Sequence, residues 1–266
     1  MVPIPPDILY IASMLDDRDE NVGVNLLAQL LNRADELGEL PALLQESTDP
    51  VVRRRAHQLQ SALTMRQRRL DFHAELGKET PDLLTGLALL HLLWFDRDAQ
   101  TELFDTVNSF VDEFRSAQPD TLEKIEFFMR QRNFLPENES TIQPENYCIG
   151  SILDRRAGSG AVLMALAGCL AGENFRLVRT LDSFGIADTH GMLLLGNGSW
   201  RLCRAPGAEI LEFWDSRTLL KDVASTLLSC AVNSDSYRYV MSISQAISGD
   251  ESEHVFDQFP YPFSAR

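Results

Sequence analysis

The chain has 266 residues, of which 44% are hydrophobic and 24% are charged, a composition typical of a soluble globular protein with one large domain or two small ones. It carries 39 Asp and Glu residues against 24 Lys and Arg, a formal net charge of -15 at pH 7. Because so acidic a protein repels phosphate groups, we expect neither a nucleic acid nor a membrane as its partner.

The sequence shows no sign of secretion or of membrane insertion. Its longest apolar run, around residues 83–95, is interrupted by His91 and is too short to cross a bilayer. The N-terminus has no basic segment followed by an apolar one, so no signal peptide is expected. Four cysteines are scattered without the spacing of metal ligands, at Cys148, Cys169, Cys203 and Cys230. We therefore expect a cytoplasmic protein with free thiols, no metal site and no cofactor.

The first half of the chain is predicted to consist of helices alone. Its apolar residues recur at spacings of three and four, the period of a helix face that packs against a core. This period defines six helices, at residues 8–15, 22–31, 51–76, 83–95, 103–114 and 122–129.

Capping residues indicate where several of these helices begin and end. Asp49 and Thr80 each precede a proline, which suits the first position of a helix because its missing N–H is not needed there. Asp120 and Glu123 have the spacing of a capping box. Gly77 lies where the long third helix should end.

Two helix openings, at residues 19–22 and 49–52, resemble each other weakly, and DPVVRRRAHQLQSAL at the second is similar to a HEAT-repeat helix. Two copies are too few to bury the continuous core of a solenoid, so we predict helical hairpins for residues 1–135. The arginines at 53–55, 66, 68 and 69 are predicted to form the solvated face of the long helix.

From residue 136 onward the hydrophobic period changes. A short helix is predicted at 149–155, and after Gly158, Ser159 and Gly160 an apolar helix runs to about residue 170. Strands are predicted at residues 175–181, 190–195, 199–203 and 210–214, with the hairpin pair Asn197-Gly198 between the second and third. A helix at 219–232 and a strand at 237–243 follow. This order predicts an α+β fold, in which a helix of the second domain, residues 136–266, packs on a small antiparallel sheet.

The start of the second domain carries a recognisable pattern. In ENYCIGSILDRRAGSGAVLMALAGCLA, at 145–171, an aliphatic-Leu-acidic-Arg-Arg-x-Gly run directly precedes an apolar helix. TLEKIEFFMRQRNFLPENES lies upstream and THGMLL downstream. On these motifs the chain resembles the SirB-like branch of the transglutaminase-like superfamily, and its first helices resemble the helical extension of some members. The resemblance covers most of the chain and implies a papain-like core.

The resemblance also implies a catalytic arrangement of Cys, His and Asp in chain order. A thiolate at a helix N-terminus gains from the helix dipole and from an imidazolium, whose tautomer the Asp fixes. In this chain the nucleophile position is Gly160, the histidine is His190 and the aspartate position falls at Cys203. Because glycine has no side chain and the third position lacks a carboxylate, the resemblance implies a member without catalytic activity that acts by binding.

An enzymatic alternative remains open. A relocated thiol, Cys148 or Cys203, would act with His190 as a cysteine-dependent amide hydrolase or transferase. Glu212 or Asp215 would then supply the acid that orients the imidazole. This alternative predicts a thiol with a lowered pKa, whereas the simpler interpretation of both cysteines is packing in a core.

The remaining candidates are binding residues of the former cleft. Arg155 and Arg156 would either clamp a carboxylate that fixes their loop or contact an anion. Asn146 is the residue that survives from the family's Asn-Ser-Tyr-Leu. Ser159 is interpreted as a helix cap or, alternatively, as a nucleophile beside Gly160. An unidentified protein partner is expected to bind the helical domain, which in a third interpretation is a HEAT-like scaffold.

Overall fold

The computed structural model describes residues 4–137, 142–172, 174–181, 183–196, 199–204 and 210–249. The chain divides into two compact units. Unit 1 comprises residues 1–70 and 248–266, and unit 2 comprises residues 71–247. The helices after residue 82 pack with elements of the second half of the chain.

Unit 1 is built from helices, as predicted. They are α1 (Pro6–Ser13), α2 (Glu20–Leu31), α3 (Leu40–Gln45) and the larger part of α4 (Pro50–Gly77). Their apolar faces form one buried cluster, which includes Ile8, Leu15, Leu26, Leu30, Leu37 and Leu59. The three-and-four spacing therefore identified α1, α2 and α4 and the faces that they bury, but not the six-residue helix α3.

Arg55 lies inside unit 1, so the prediction of a solvated face is wrong for this residue. Its side chain is 1% exposed, and it donates hydrogen bonds from Nη1 to the Leu15 carbonyl at 3.1 Å and from Nη2 to the Asp19 carbonyl at 3.0 Å. Gly23 on α2 makes room for the guanidinium, because a Cβ there would lie 2.2 Å from the Arg55 Cζ. A buried cation with two carbonyl acceptors thus fixes the chain between α1 and α2.

Unit 2 holds the end of α4 and most of the other helices. These are α5 (Leu83–Trp94), α6 (Gln100–Ser116), α7 (Leu122–Gln131), α8 (Ile149–Arg155), α9 (Gly160–Ala171), α10 (Ser216–Asn233) and α11 (Tyr237–Ser248). The predicted helices at 83–95, 103–114, 122–129, 149–155 and 219–232 are confirmed within a few residues at each end.

The caps of these helices were predicted with mixed success. Asp49 accepts a hydrogen bond from the Val51 N–H at 2.6 Å, as expected for the cap of α4. The cap of α5 is Asp82 and not Thr80, and the cap of α7 is Thr121. Asp120 instead forms an ion pair with Lys124 at 2.6 Å. Sequence spacing therefore located each helix start only within one or two residues.

The sheet of unit 2 has five strands, which are β3 (Arg176–Thr180), β4 (Phe184–Ala187), β5 (Gly191–Gly196), β6 (Ser199–Arg204) and β7 (Ile210–Trp214). They are antiparallel and lie in the order β6-β5-β4-β3-β7. Two further short strands, β1 (Leu135–Pro136) and β2 (Ala157–Gly158), pair in parallel. The fold is therefore α+β. In β5 and β6 Gly196 lies opposite Ser199, and the predicted hairpin pair Asn197-Gly198 lies outside the described residues.

Helix α9 packs on one face of this sheet. The contact depends on Gly168, since a Cβ there would lie 3.0 Å from side-chain carbons of both Leu177 and Ile186. Leu177 is the second residue of β3, and its register partner Ile186 is the last residue but one of β4. The later half of α9 therefore lies against the end of the sheet where β3 begins and β4 ends.

The strand predicted at residues 237–243 is wrong, because this segment begins α11. Its buried residues Ser242, Ile243 and Ala246 have helical spacing. Tyr239 stacks on Trp94 with ring centroids 4.5 Å apart. The tyrosines and the valine of YRYV suggested a strand, but the packing against α5 is that of a helix.

Asp215, the cap of α10, gives a prediction for stability. Its Oδ1 accepts the Thr218 N–H at 2.7 Å, and hydrogen bonds from Thr218 hold the pKa of Asp215 below its ordinary value. We expect Asp215→Ala to cost about 1 kcal/mol of unfolding free energy at pH 7. Because the folded pKa is lowered, this contribution is present above the unfolded pKa and is lost as pH falls below about 4.

Urea unfolding of wild type and of Asp215→Ala, at pH 7 and at pH 3, measures the loss of unfolding free energy. Asp215→Ser is the control, because serine keeps a capping oxygen that does not titrate. It should retain most of the stability and lose the pH dependence. A difference between wild type and Asp215→Ala that is equal at both pH values would contradict the assignment.

Candidate functional site

The N-terminus of α9, where the resemblance places a nucleophile, begins with Gly160, which is buried. The preceding Ser159 is 1% exposed. Its Oγ accepts the Val162 N–H at 3.3 Å, and its own N–H donates to the Asn146 carbonyl at 2.7 Å. Ser159 is thus the cap of α9, and its burial leaves no access for a substrate to its hydroxyl.

His190 is an exposed residue of the turn between β4 and β5. Its main-chain N–H donates to Asp188 Oδ1 at 2.7 Å, and the N–H of Gly191 donates to the same oxygen at 2.8 Å. Asp188 therefore shapes the turn through the backbone.

His190 lies next to the first residue of β5. The last residues of β5 are the ones close to the start of α9, as three contacts show. There Leu195 lies opposite Trp200, whose Nε1 donates to the Phe134 carbonyl at 2.8 Å. The next residue, Leu135, pairs in β1 with Ala157, just before α9. Since β5 rises by about 3.3 Å per residue, roughly 16 Å separates His190 from that end. His190 and Gly160, which the resemblance brings together, therefore lie at opposite ends of the sheet.

Cys203 lies at the same end of the sheet as His190. It is half-buried on β6, directly opposite Met192, which follows His190 by two residues. The register thus places Cys203 on β6 close to the turn that holds His190.

Cys148 precedes α8 and is fully buried. Burial raises the pKa of its thiol well above the ordinary value, and Glu145 raises it further. A protonated thiol without access from solvent is a poor nucleophile. The packing interpretation therefore fits Cys148 better than the catalytic one.

The acids considered for orienting the imidazole do not lie beside it. Glu212 is on β7 and accepts a hydrogen bond from Trp214 Nε1 at 2.8 Å. Strands β3 and β4 separate β7 from β5, a distance of about 14 Å across the sheet. Asp215 caps α10.

Arg155 and Arg156, which the sequence could not separate, have different surroundings. Arg155 donates to Glu137 at 2.7 Å and to Asn146 Oδ1 at 3.3 Å, so it forms the predicted carboxylate clamp. Arg156 ends α8 with a left-handed φ of 57°. Its guanidinium lies over the Phe134 ring, 4.9 Å from the centroid.

A groove opens beside Arg156, between α6 and the end of α8. Its volume is about 410 Å³, within the range of small-ligand sites. Its polar lining residues are Asp105, Thr106, Ser109, Glu113, Asp154 and Arg156. The sequence singled out Arg156 but not the groove residues of α6. Polar residues at helical spacing are also found on the ordinary solvated face of a helix, so they gave no sign of a binding site.

Within the ranges that the structure describes, no three His, Cys, Asp or Glu side chains are grouped so that they could hold a metal ion. No helix in those ranges combines the length and the hydrophobicity needed to cross a bilayer. Comparisons with protein-family models, with curated proteins and with solved structures each found no match to this chain.

Proposed function

We propose that the chain is a non-catalytic member of the transglutaminase-like superfamily that acts by binding a ligand or a protein. The placement of the candidate residues supports this proposal: the position that the resemblance assigns to the nucleophile holds a buried glycine, Gly160, and His190 lies at the end of β5 away from the start of α9. A Cys-His mechanism needs the imidazole within hydrogen-bond reach of the thiol that it activates.

A protein partner is proposed to bind the helices of the first half. Unit 1 exposes several large apolar side chains, which a partner bound to these helices would cover. They are Leu9 and Tyr10 of α1, Val22 of α2 and Leu43 of α3. The four cysteines are free thiols, which supports a location in the reducing cytoplasm.

The second candidate function is thiol-dependent amide hydrolysis or transfer by Cys203 with His190. The register of β5 and β6 favours this pair over Cys148, because it places the two residues near each other. The pair would need an acid other than Glu212 and Asp215, both of which have other partners.

Alkylation of the native protein separates the two functions. With iodoacetamide at pH 7, we expect Cys148 to react about a hundredfold more slowly than in urea-unfolded protein, because its buried thiol stays protonated. Cys203 should react no faster than in the unfolded chain, and His190→Gln should leave its rate unchanged. Rates at each cysteine are read by mass spectrometry of digested samples.

The opposite outcome would support the enzyme. A Cys203 that reacts faster than in unfolded protein, and that slows in His190→Gln, would overturn the non-catalytic proposal. The release of ammonia from a glutamine peptide by pure protein, blocked by prior alkylation, would do the same.

A further inference from the structure

We propose that the groove between α6 and the end of α8 binds a small zwitterionic peptide, with its carboxylate on Arg156 and its two ammonium groups against Asp105 and Asp154. The proposal rests on the proposed function, because the ligand is bound and not converted. It assigns to this groove a ligand of defined chemistry.

Arg156 is a fixed cation at one wall of the groove. Its N–H donates to the Ile152 carbonyl at 2.8 Å, and its carbonyl accepts the Leu135 N–H at 2.9 Å, so the backbone is held on both sides. The Phe134 ring beneath the guanidinium is fully buried. Ring and backbone together orient the side chain toward one position.

The charge of Arg156 has no carboxylate partner within the described part of the chain. Nη1 is buried and without a hydrogen-bond acceptor there. Two other arginines of unit 2 do have carboxylate partners: Arg155 pairs with Glu137, and Arg132 pairs with Glu113. A partly desolvated guanidinium attracts an anion strongly, and its planar donors match a carboxylate.

Two carboxylates of the groove distinguish a zwitterion from a simple anion. Asp105 on α6 and Asp154 on α8 are exposed, and neither forms an ion pair with any residue that the structure describes. They would repel a phosphate and attract an ammonium group. The third carboxylate of the groove, Glu113, is paired with Arg132. Arg156, Asp105 and Asp154 therefore best complement a ligand with one carboxylate and two positive groups.

The size and floor of the groove fit such a ligand. A volume of about 410 Å³ can hold a dipeptide. Phe110 and Leu153 line it and are each 5% exposed, so they form an apolar floor under the charged rim. We therefore choose the dipeptide Lys-Ala, which has a carboxylate and two ammonium groups, as the probe.

Calorimetric titration of the full chain with Lys-Ala tests the proposal. We expect saturable binding to wild type and about tenfold weaker binding of Lys-Ala amide, which lacks the carboxylate. Arg156→Gln should bind the acid and the amide equally weakly, because the group that tells them apart is gone. Asp154→Asn should weaken both peptides by a similar factor. Arg130→Gln is the matched control, because this exposed arginine of α7 pairs with Glu126 and does not line the groove, and it should bind Lys-Ala like wild type.

Two results would overturn the groove proposal: no saturable binding of Lys-Ala by wild type, or equal binding of the acid and the amide. The comparison of Lys-Ala with Lys-Ala amide uses wild-type protein alone, so it tests the proposal even if Arg156→Gln fails to fold. The groove and the proposed function fail separately. Hydrolysis of bound Lys-Ala would overturn the non-catalytic proposal alone, whereas an absence of binding with unreactive thiols would reject the groove alone.

Discussion

Arg55→Ala is expected to lower the free energy of unfolding by about 3 kcal/mol. The substitution removes a charged donor from two carbonyls, those of Leu15 and Asp19, and hydrogen bonds to charged groups contribute about 1.5–3 kcal/mol each. It also leaves a cavity, since the side chain is 1% exposed. Urea unfolding of the full chain, followed by far-UV circular dichroism, measures the loss.

Arg54→Ala is the matched control for this prediction. Arg54 is the neighbouring residue of the same helix, and its half-exposed side chain pairs with Glu20 on the surface. Exposed ion pairs contribute at most about 1 kcal/mol. Equal losses in Arg54→Ala and Arg55→Ala would show that burial of the Arg55 guanidinium does not matter to stability.

A double-mutant cycle with Gly23 sharpens the test. Gly23→Ala alone should destabilise the protein, because the new Cβ would lie 2.2 Å from the guanidinium. With Arg55→Ala the guanidinium is absent and the methyl group fills part of the cavity. The double variant should therefore lose less stability than the sum of the two single variants, and strict additivity would contradict the contact.

Arg55 shows how far the sequence could predict unit 1. The helices followed from the spacing of their apolar residues, because a face that packs against a core must repeat with the helical period. The burial of Arg55 could not be predicted from the sequence, because Arg53, Arg54 and Arg55 are three consecutive residues of the same type. What distinguishes Arg55 is the approach of Gly23 from another helix, a contact set by tertiary packing.

The position of His190 in the sheet depends on strand β4, which was not predicted. The sequence predicted one strand between α9 and His190, whereas the structure has two, β3 and β4. Each antiparallel strand reverses the direction of the chain, so one missed strand moves His190 from the near end of the sheet to the far end. Strand β4 was not predicted because it has only four residues, FGIA, and one of them is a glycine, a residue type that is rare in strands.

The residues around α8 were predicted better, because their roles are local. Ser159 as the cap of α9 and Arg155 as a carboxylate clamp were both among the stated interpretations, and both contacts join segments near in sequence. The different role of Arg156 could not be foreseen. It depends on the left-handed turn at the end of α8 and on the ring of Phe134, which the fold brings beneath it.

Gly158→Ala is expected to lower the free energy of unfolding by about 2 kcal/mol, because the segment at Gly158 has no room for a side chain. A Cβ there would lie 2.6 Å from Cγ1 of Ile152 and 3.2 Å from the Asn146 carbonyl oxygen. Ile152 is fully buried and cannot turn away into solvent. Urea unfolding measures the loss. Gly77→Ala serves as the control, since a Cβ at that helix end meets nothing within 4 Å, and it should be neutral or slightly stabilising.

The strain of Gly158→Ala should also reach the groove. Asn146, whose carbonyl would be pushed, accepts the N–H of Ser159 at 2.7 Å and holds Arg155 through its side chain. Gly158 follows Arg156 by two residues and ends strand β2, so a shift at Gly158 displaces the backbone from which the Arg156 guanidinium projects. Weaker binding of Lys-Ala by Gly158→Ala, with no change in Gly77→Ala, is therefore the expected result. A Gly158→Ala protein as stable as Gly77→Ala would mean that the Arg-Arg-x-Gly glycine is not required by packing, and the close approach of α8 to β2 would then not explain why glycine stands there.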